Sequence, residues 1–271
     1  MAKYIQIKIS TQNAAQQEML IALLSEIGYE GFEESENLLD AFIPEDNFDK
    51  IALQNITRQY NFSWSSALIN EQNWNALWES NFSPVTVETF VGIRADFHSP
   101  VPGVEYEIII TPKMSFGTGH HATTYMMMMQ MKHLSIKDKD IFDFGTGTGI
   151  LAILAEKLGA HTIFAIDNDE WSILNAAENI QKNNCRNIAL SLSSTPLSVK
   201  KVDIILANIN KNIILENLAI LSGQLKNQAS LLLSGLLAAD EADIIHAATD
   251  LSLVHVKTIQ KDKWICLLFT T

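Results

Sequence analysis

Cysteine is scarce in this 271-residue chain: Cys185 and Cys266 are its two cysteines, and they lie far apart. Neither a disulfide framework nor a zinc knuckle can be built from such a pair, and the scarcity fits a reducing compartment. Long apolar runs are absent too, none approaching the ~20 residues a membrane span needs. Met1-Ala2-Lys3-Tyr4-Ile5-Gln6 enters a polar/apolar alternation without the apolar core of a leader. The expectation is a soluble, cytoplasmic protein with no membrane partner. Basic residues are in short supply, with 19 Lys+Arg against 31 Asp+Glu and a net charge of −12. The deficit is uneven: the first 83 residues hold 4 basic and 12 acidic side chains, the remainder 15 and 19. Such a surface repels phosphate backbones, and no basic cluster exceeds Lys200-Lys201. Direct nucleic-acid binding is therefore not expected and a basic partner is, although acidity also serves solubility alone.

What is present is ample core. Hydrophobic residues make up 47% of the chain, too many for a disordered protein, and the length calls for one large or two unequal domains. Residues 1–70 read as β-α-β-β-α-β, a split βαβ unit making a small α+β domain of ferredoxin-like type. Its strands are 4–9, one or two within 29–43, and 62–69. Its helices end near Gly28 and Tyr60, the first with Ser10/Thr11 as caps. Residues 71–84 read as a linker helix, with Trp74 and Trp78 at i,i+4 and Ser83-Pro84 as its stop. Residues 85–271 form the second domain. After extended runs broken by prolines, strands and helices alternate: strand 141–144, helix 150–158, strand 162–166, helix 171–182, strand 202–207, helix 213–221, strand 229–233. That alternation marks a doubly wound parallel sheet, and 251–269 closes it with an antiparallel hairpin. Met126 to Met129, with Met131, sit on the domain's first long helix as packing rather than as a cofactor box.

Four segments carry chemistry. Asp143-Phe144-Gly145-Thr146-Gly147-Thr148-Gly149 follows a strand and opens a helix. Gly145, Gly147 and Gly149 let the backbone approach a ligand, and the helix N-terminus offers free N–H groups. Eighteen residues after Gly149 another strand ends in Asp167, where a carboxylate can accept both ribose hydroxyls of an adenosine cofactor. Dinucleotide enzymes favour G-x-G-x-x-G. Here the spacing is G-x-G-x-G, and Asp143 before it would repel a pyrophosphate but suits the cationic amino-acid end of S-adenosylmethionine. The third segment, Ala207-Asn208-Ile209-Asn210, ends the next strand, where Asn208 can hold an amine or merely form an Asx turn before the helix near Asn212. The fourth, Ser115 to Thr124, is a polar glycine loop able to close over a ligand, with Thr123 or Thr124 as a possible helix cap. Its His120-His121 pair points apart in most backbones and lacks acidic or Cys neighbours, so no metal is expected.

Together these segments resemble the ribosomal-protein-L-eleven methyltransferases, which methylate the stalk-base protein of the large ribosomal subunit. The family's loop F-G-T-G-T-H-P-T-T corresponds to Phe116 to Thr124, and D-x-G-C-G-S-G-I-L-A-I to Asp143 to Ile153. The family's ribose acid corresponds to Asp167, A-N-I to Ala207-Asn208-Ile209, and L-S-G-I-L to Leu233 to Leu237. His120 and Ala122 depart from the loop pattern, and the first third matches by architecture only. The resemblance implies a class I (Rossmann-like) methyltransferase using S-adenosyl-L-methionine to methylate lysine or N-terminal α-amines of that basic protein, acting as a monomer. It places Asp143 near the methionine end, Asp167 at the ribose and Thr124 as a closing contact. Asn208 orients the cofactor or the incoming amine. Competing readings are a nucleic-acid methyltransferase, for which Asn208-Ile209-Asn210 lacks both prolines and the aromatic of base-amine methylators, a cofactor-binding protein without turnover, and a nicotinamide oxidoreductase.

Overall fold

The computed structural model describes residues 4–69, 82–112, 119–198 and 200–271. The chain divides into two compact units, Met1–Leu77 and Trp78–Thr271. The expected Trp74–Trp78 helix and residues 113–118 of the polar loop lie outside the described residues.

The first unit runs β1 (Tyr4–Ser10), α1 (Ala14–Glu26), β2 (Gly31–Ser35), β3 (Leu38–Pro44), α2 (Lys50–Gln59) and β4 (Trp64–Ile69). Its sheet has the order β2-β3-β1-β4 with antiparallel neighbours throughout. Alternation in β1 buries Ile7 and Ile9 against Leu20 and Leu24 of α1 and Leu53 of α2. The cap of α1 is Asn13, which accepts the Gln16 N–H, and not Ser10 or Thr11. Both of those remain engaged with the sheet: Ser10 pairs with Leu38, and the Thr11 N–H reaches the Asn37 carbonyl. Edge strand β2 and its turn expose Glu33, Glu34 and Glu36.

The second unit begins with a three-stranded sheet, β5 (Val85–Val87), β6 (Val91–Ala95) and β7 (Tyr106–Ile110). Then come α3 (Ala122–Met131), β8 (Asp140–Phe144), α4 (Ile150–Lys157), β9 (Thr162–Asp167), α5 (Glu170–Lys182) and β10 (Ile188–Leu192). The chain continues through β11 (Val202–Asn208), α6 (Lys211–Gly223), β12 (Leu225–Leu237), α7 (Glu241–Asp250), β13 (Val254–Lys261) and β14 (Trp264–Thr270). The large sheet has the order β10-β9-β8-β11-β12-β14-β13, parallel from β10 to β12 and antiparallel at β14 and β13. This is the doubly wound sheet with a terminal hairpin read from the sequence, α/β in class. Strand β10 and helix α7 are additions to that reading. β10 is a short, half-exposed edge strand, and α7 buries only Ile244 and Ala248 of its ten residues, so each carries a weak apolar signal.

Both faces of the sheet are covered. Met126, Met127, Met128 and Met131 of α3 are buried on one face beside the wholly apolar start of α4, while α6 and α7 cover the other. Asn179 of α5 and Asn183, which follows that helix, tie down β7 and the residue after it. Asn183 exchanges hydrogen bonds with both backbone groups of Ile109, and Asn179 accepts the Thr111 N–H at 2.7 Å. At the far end of the sheet from the glycine loop, Lys226 bridges Asp140 (2.9 Å) and Asp203 (2.8 Å). Burial opposes ionisation of Asp140, but hydrogen bonds from Lys200, Thr162 and Lys226 outweigh it and hold the carboxyl far below the usual range. Among the described residues no helix is long and apolar enough to cross a membrane.

Candidate active site

Strand order reverses between β8 and β11: from β8 the chain winds outward through β9 and β10, then returns to build β11 and β12 on the other side. Ligands of open parallel sheets bind outside the carboxyl ends of the strands at such a switch point. The loop from Gly145 to Gly149 lies there, pinned to β9 by the Gly145 and Thr146 N–H groups, which both donate to the Ile166 carbonyl at 2.9 Å. Gly145 adopts φ +76°, and a side chain on it would overlap Ile209 Cγ2, so neither the conformation nor the space admits a Cβ. Gly149 caps α4 without a side chain and packs on Ala176 of α5. Asn179 steadies the same loop, donating to the Thr148 carbonyl at 2.9 Å.

The acids at the ends of β8 and β9 differ in what surrounds them. Asp167 is partly exposed, accepting the Gly147 N–H on Oδ2 (2.8 Å) and the Asp169 N–H on Oδ1 (3.0 Å). A carboxylate offers about four lone-pair sites, so these two bonds leave capacity for a ligand's hydroxyls. Asp143 is 1% exposed and accepts the Thr146 hydroxyl at 2.6 Å. Burial pushes its carboxyl up to about 7, with the neighbouring Asp167 charge adding to the rise against the Thr146 hydrogen bond.

The end of β11 divides its work between two asparagines. Asn210 caps α6, accepting the Ile213 N–H at 3.1 Å. The Asx cap at this helix therefore belongs to Asn210, and the Asn208 amide is left for other use. Asn208 Nδ2 donates to Thr124 Oγ1 at 3.3 Å, while its buried Oδ1 has no hydrogen-bond partner among the described residues. Thr124 is fully buried in the first turn of α3, whose cap is His121, its Nδ1 accepting the Thr123 N–H. Beside Asn208 the ladder bulges at Gly235 of β12, with φ +84°. A Cβ there would overlap the Ile209 carbonyl oxygen and lie 2.7 Å from its carbon.

A cavity of about 740 Å³ joins these groups. On the β9 side it is lined by Asp167, Asn168, Ser172, Ser193 and Ser194. On the β11–β14 side it is lined by Thr124, Asn208, Gly235, His121, Glu216 and Trp264. Of the residues expected from the sequence, Thr124, Gly145, Gly147, Asp167 and Asn208 face this space. Asp143 and Gly149 do not: one braces the loop from beneath, and the other joins it to α4 and α5. Trp264 and Glu216 escape sequence reasoning, because nothing local in the terminal hairpin or in α6 distinguishes them. Among the described residues the cavity wall carries two carboxylates, Asp167 and Glu216, and no lysine or arginine. Burial and the nearby Lys263 both push the His121 imidazole down from its ordinary value. Among the described residues no cluster could hold a metal ion.

A wall of this charge repels a pyrophosphate and accommodates a sulfonium. The unpartnered Asn208 oxygen fits an amine, and the spare capacity of Asp167 fits the hydroxyls of an adenosine. Carried on a doubly wound sheet with an antiparallel terminal hairpin, that chemistry defines a class I methyltransferase dependent on S-adenosylmethionine. Residues 6–271 match the family described as Ribosomal protein L11 methyltransferase (PrmA), and the chain belongs to that family. It is 38% identical over 261 residues to the ribosomal protein L11 methyltransferase of Porphyromonas gingivalis, covering 93% of this chain and 90% of that one. With the enzyme of the same name from Chlorobaculum tepidum it shares 39% over 264 residues, covering 93% and 91%. Among solved structures, the ribosomal protein L11 methylase of Lactobacillus delbrueckii subsp. bulgaricus matches with a TM-score of 0.65 at 29% identity, over 69% of this chain and 98% of that one.

Proposed function

We propose that this methyltransferase acts on amino groups of ribosomal protein L11, lysine side chains or the N-terminal α-amine, in the cytoplasm, as a monomer and without direct contact to nucleic acid. The names of its relatives support the substrate. The observation that carries the chemistry is the Asn208 amide, oriented by Thr124 so that an unpaired acceptor remains beside a cavity whose described lining has no lysine or arginine. In this reading Asp167 holds the ribose, Gly145, Gly147 and Gly149 shape the loop, and Asp143 tunes it from beneath.

Bound S-adenosylmethionine supplies a methyl carbon on a sulfonium whose departure as a neutral thioether drives transfer. The protein's part is alignment, since an in-line displacement needs a correctly placed neutral amine and little covalent help. Asn208 Oδ1 accepts an amine N–H and so directs the nitrogen lone pair. Thr124 holds the amide in that orientation. An amine alkylated there would release its extra proton to solvent. Residues 1–70 recognise the basic substrate, supported by the exposed carboxylates of Glu33, Glu34 and Glu36 on an edge strand and its turn, with 71–84 as the connection between the units.

The test is transfer of labelled methyl to total ribosomal protein from an unmethylated extract, resolved by mass. Label on one basic large-subunit protein is the expected result. Label in RNA, or tight cofactor binding without transfer, would overturn the substrate assignment.

A further inference from the structure

Trp264 has no role in the chemistry above, yet its ring lines the cavity with Asn208 and Gly235. It opens β14 directly after the hairpin turn, and its partly buried ring packs edge-on to His121, with centroids 4.7 Å apart. His121 lines the same cavity and caps α3, the helix that carries Thr124. The aromatic pair is thus anchored to the element that orients Asn208. The Trp264 ring also attracts an ammonium group within this chain, since Lys263 Nζ stands 5.6 Å from its centroid. Glu216 of α6 adds a carboxylate to the same cavity, and among the described residues no lysine or arginine lines the space to oppose it.

We infer that Trp264, braced by His121, forms the wall of the acceptor subsite and holds the methylated ammonium produced there by a cation–π contact. This rests on the methyltransferase reading of the cavity. Asn208 Oδ1 can hold a nitrogen only through N–H bonds, and each methyl group removes one of them. An aromatic face responds to the positive charge and to polarised C–H groups, which methylation leaves in place or adds. The two residues are therefore complementary: Asn208 selects the unmethylated amine, and Trp264 retains the methylated one. Lys263, over the same ring, is a tethered competitor that an incoming side chain must displace.

The test uses the full chain saturated with S-adenosylhomocysteine, titrated with Nα-acetyl-trimethyl-lysine methylamide and with its unmethylated lysine counterpart. The N-methyl proton resonance of the trimethylated probe is followed. Ring current from Trp264 moves that resonance upfield on binding. Trp264→Phe keeps the upfield shift, whereas Trp264→Leu abolishes it and weakens the trimethylated probe roughly five-fold. S-adenosylhomocysteine affinity, measured by calorimetry on all three proteins, stays within two-fold if the variants are folded and the site is intact. An unshifted resonance with cofactor-loaded wild type, or a Trp264→Leu protein that retains the shift, overturns the inference. Failure of wild type to bind S-adenosylhomocysteine at all would instead overturn the methyltransferase reading on which it rests.

Discussion

Gly235→Ala tests the link between the fold and the site. The substitution places a methyl group where φ is +84°, overlapping the Ile209 carbonyl oxygen, 2.7 Å from the carbonyl carbon and 3.0 Å from the amide nitrogen. The left-handed conformation costs a residue with a Cβ about 1–2 kcal/mol. Overpacking adds about 1–3 kcal/mol, because the obstructing atoms are backbone and cannot rotate aside. A total near 3 kcal/mol lowers Tm by roughly 6–12 °C for a domain of this size. Relief requires moving Ile209, whose N–H is bound to the Ser234 carbonyl at 3.1 Å, and Asn208 would move with it. Gly103→Ala is the control, because Gly103 has φ +74° but nothing within 4 Å of where its methyl group would sit. It should show the conformational cost alone and leave cofactor binding untouched. Thermal unfolding and calorimetric titration with S-adenosylmethionine on both variants decide the matter. If Gly235→Ala is no less stable than Gly103→Ala and binds cofactor as well as wild type, the close approach of β12 to Ile209 does not shape the site.

Asn179→Leu leaves the Thr111 N–H and the Thr148 carbonyl without these partners, so urea unfolding should lose about 2–4 kcal/mol; a loss under about 0.5 kcal/mol would refute the bracing role. Asp167→Ala should weaken S-adenosylmethionine at least ten-fold by calorimetry, as loss of a charge-assisted hydrogen bond predicts (about 1.5–3 kcal/mol), and unchanged affinity would remove Asp167 from the ribose. The Asp143 carboxyl is raised to about 7 in the folded chain, above its unfolded value near 4. The folded state therefore binds more protons between those values, and wild-type stability declines as pH rises through that window. Asp143→Asn, which keeps an acceptor for Thr146, should gain on wild type from about pH 4 to 7 and run parallel to it outside that range; a pH-independent difference would contradict the assignment. Methylation of a basic protein substrate should also slow with rising salt, and a flat response would count against the acidic surface as its docking aid.

Much of this architecture is legible in local pattern. The β-α alternation, the glycine loop after β8 and the acid ending β9 are all short-range signals, because strand period, turn conformation and cap chemistry act over a few residues. The marginal elements are not: β10 is a short edge strand with little apolar weight, and α7 buries two side chains. Helix caps fall two or three residues from their expected places, at Asn13 instead of Ser10/Thr11 and at His121 instead of the threonines after it. Several oxygen- and nitrogen-bearing side chains in a row can each serve as a cap, and the strand pairing upstream chooses among them.

Sequence alone determined the class of sheet, the loop, the acid that ends β9 and, through the resemblance, the family. Tertiary structure decided how those residues divide their labour. It left Asp143 out of the cavity lining and gave the α6 cap to Asn210, leaving the Asn208 oxygen open. It also brought Trp264, more than a hundred residues from the glycine loop, into the same wall. The reason is physical. Which groups face a common space depends on strand order and helix packing, and these are settled by burial over the whole domain, not by the neighbours of any one residue.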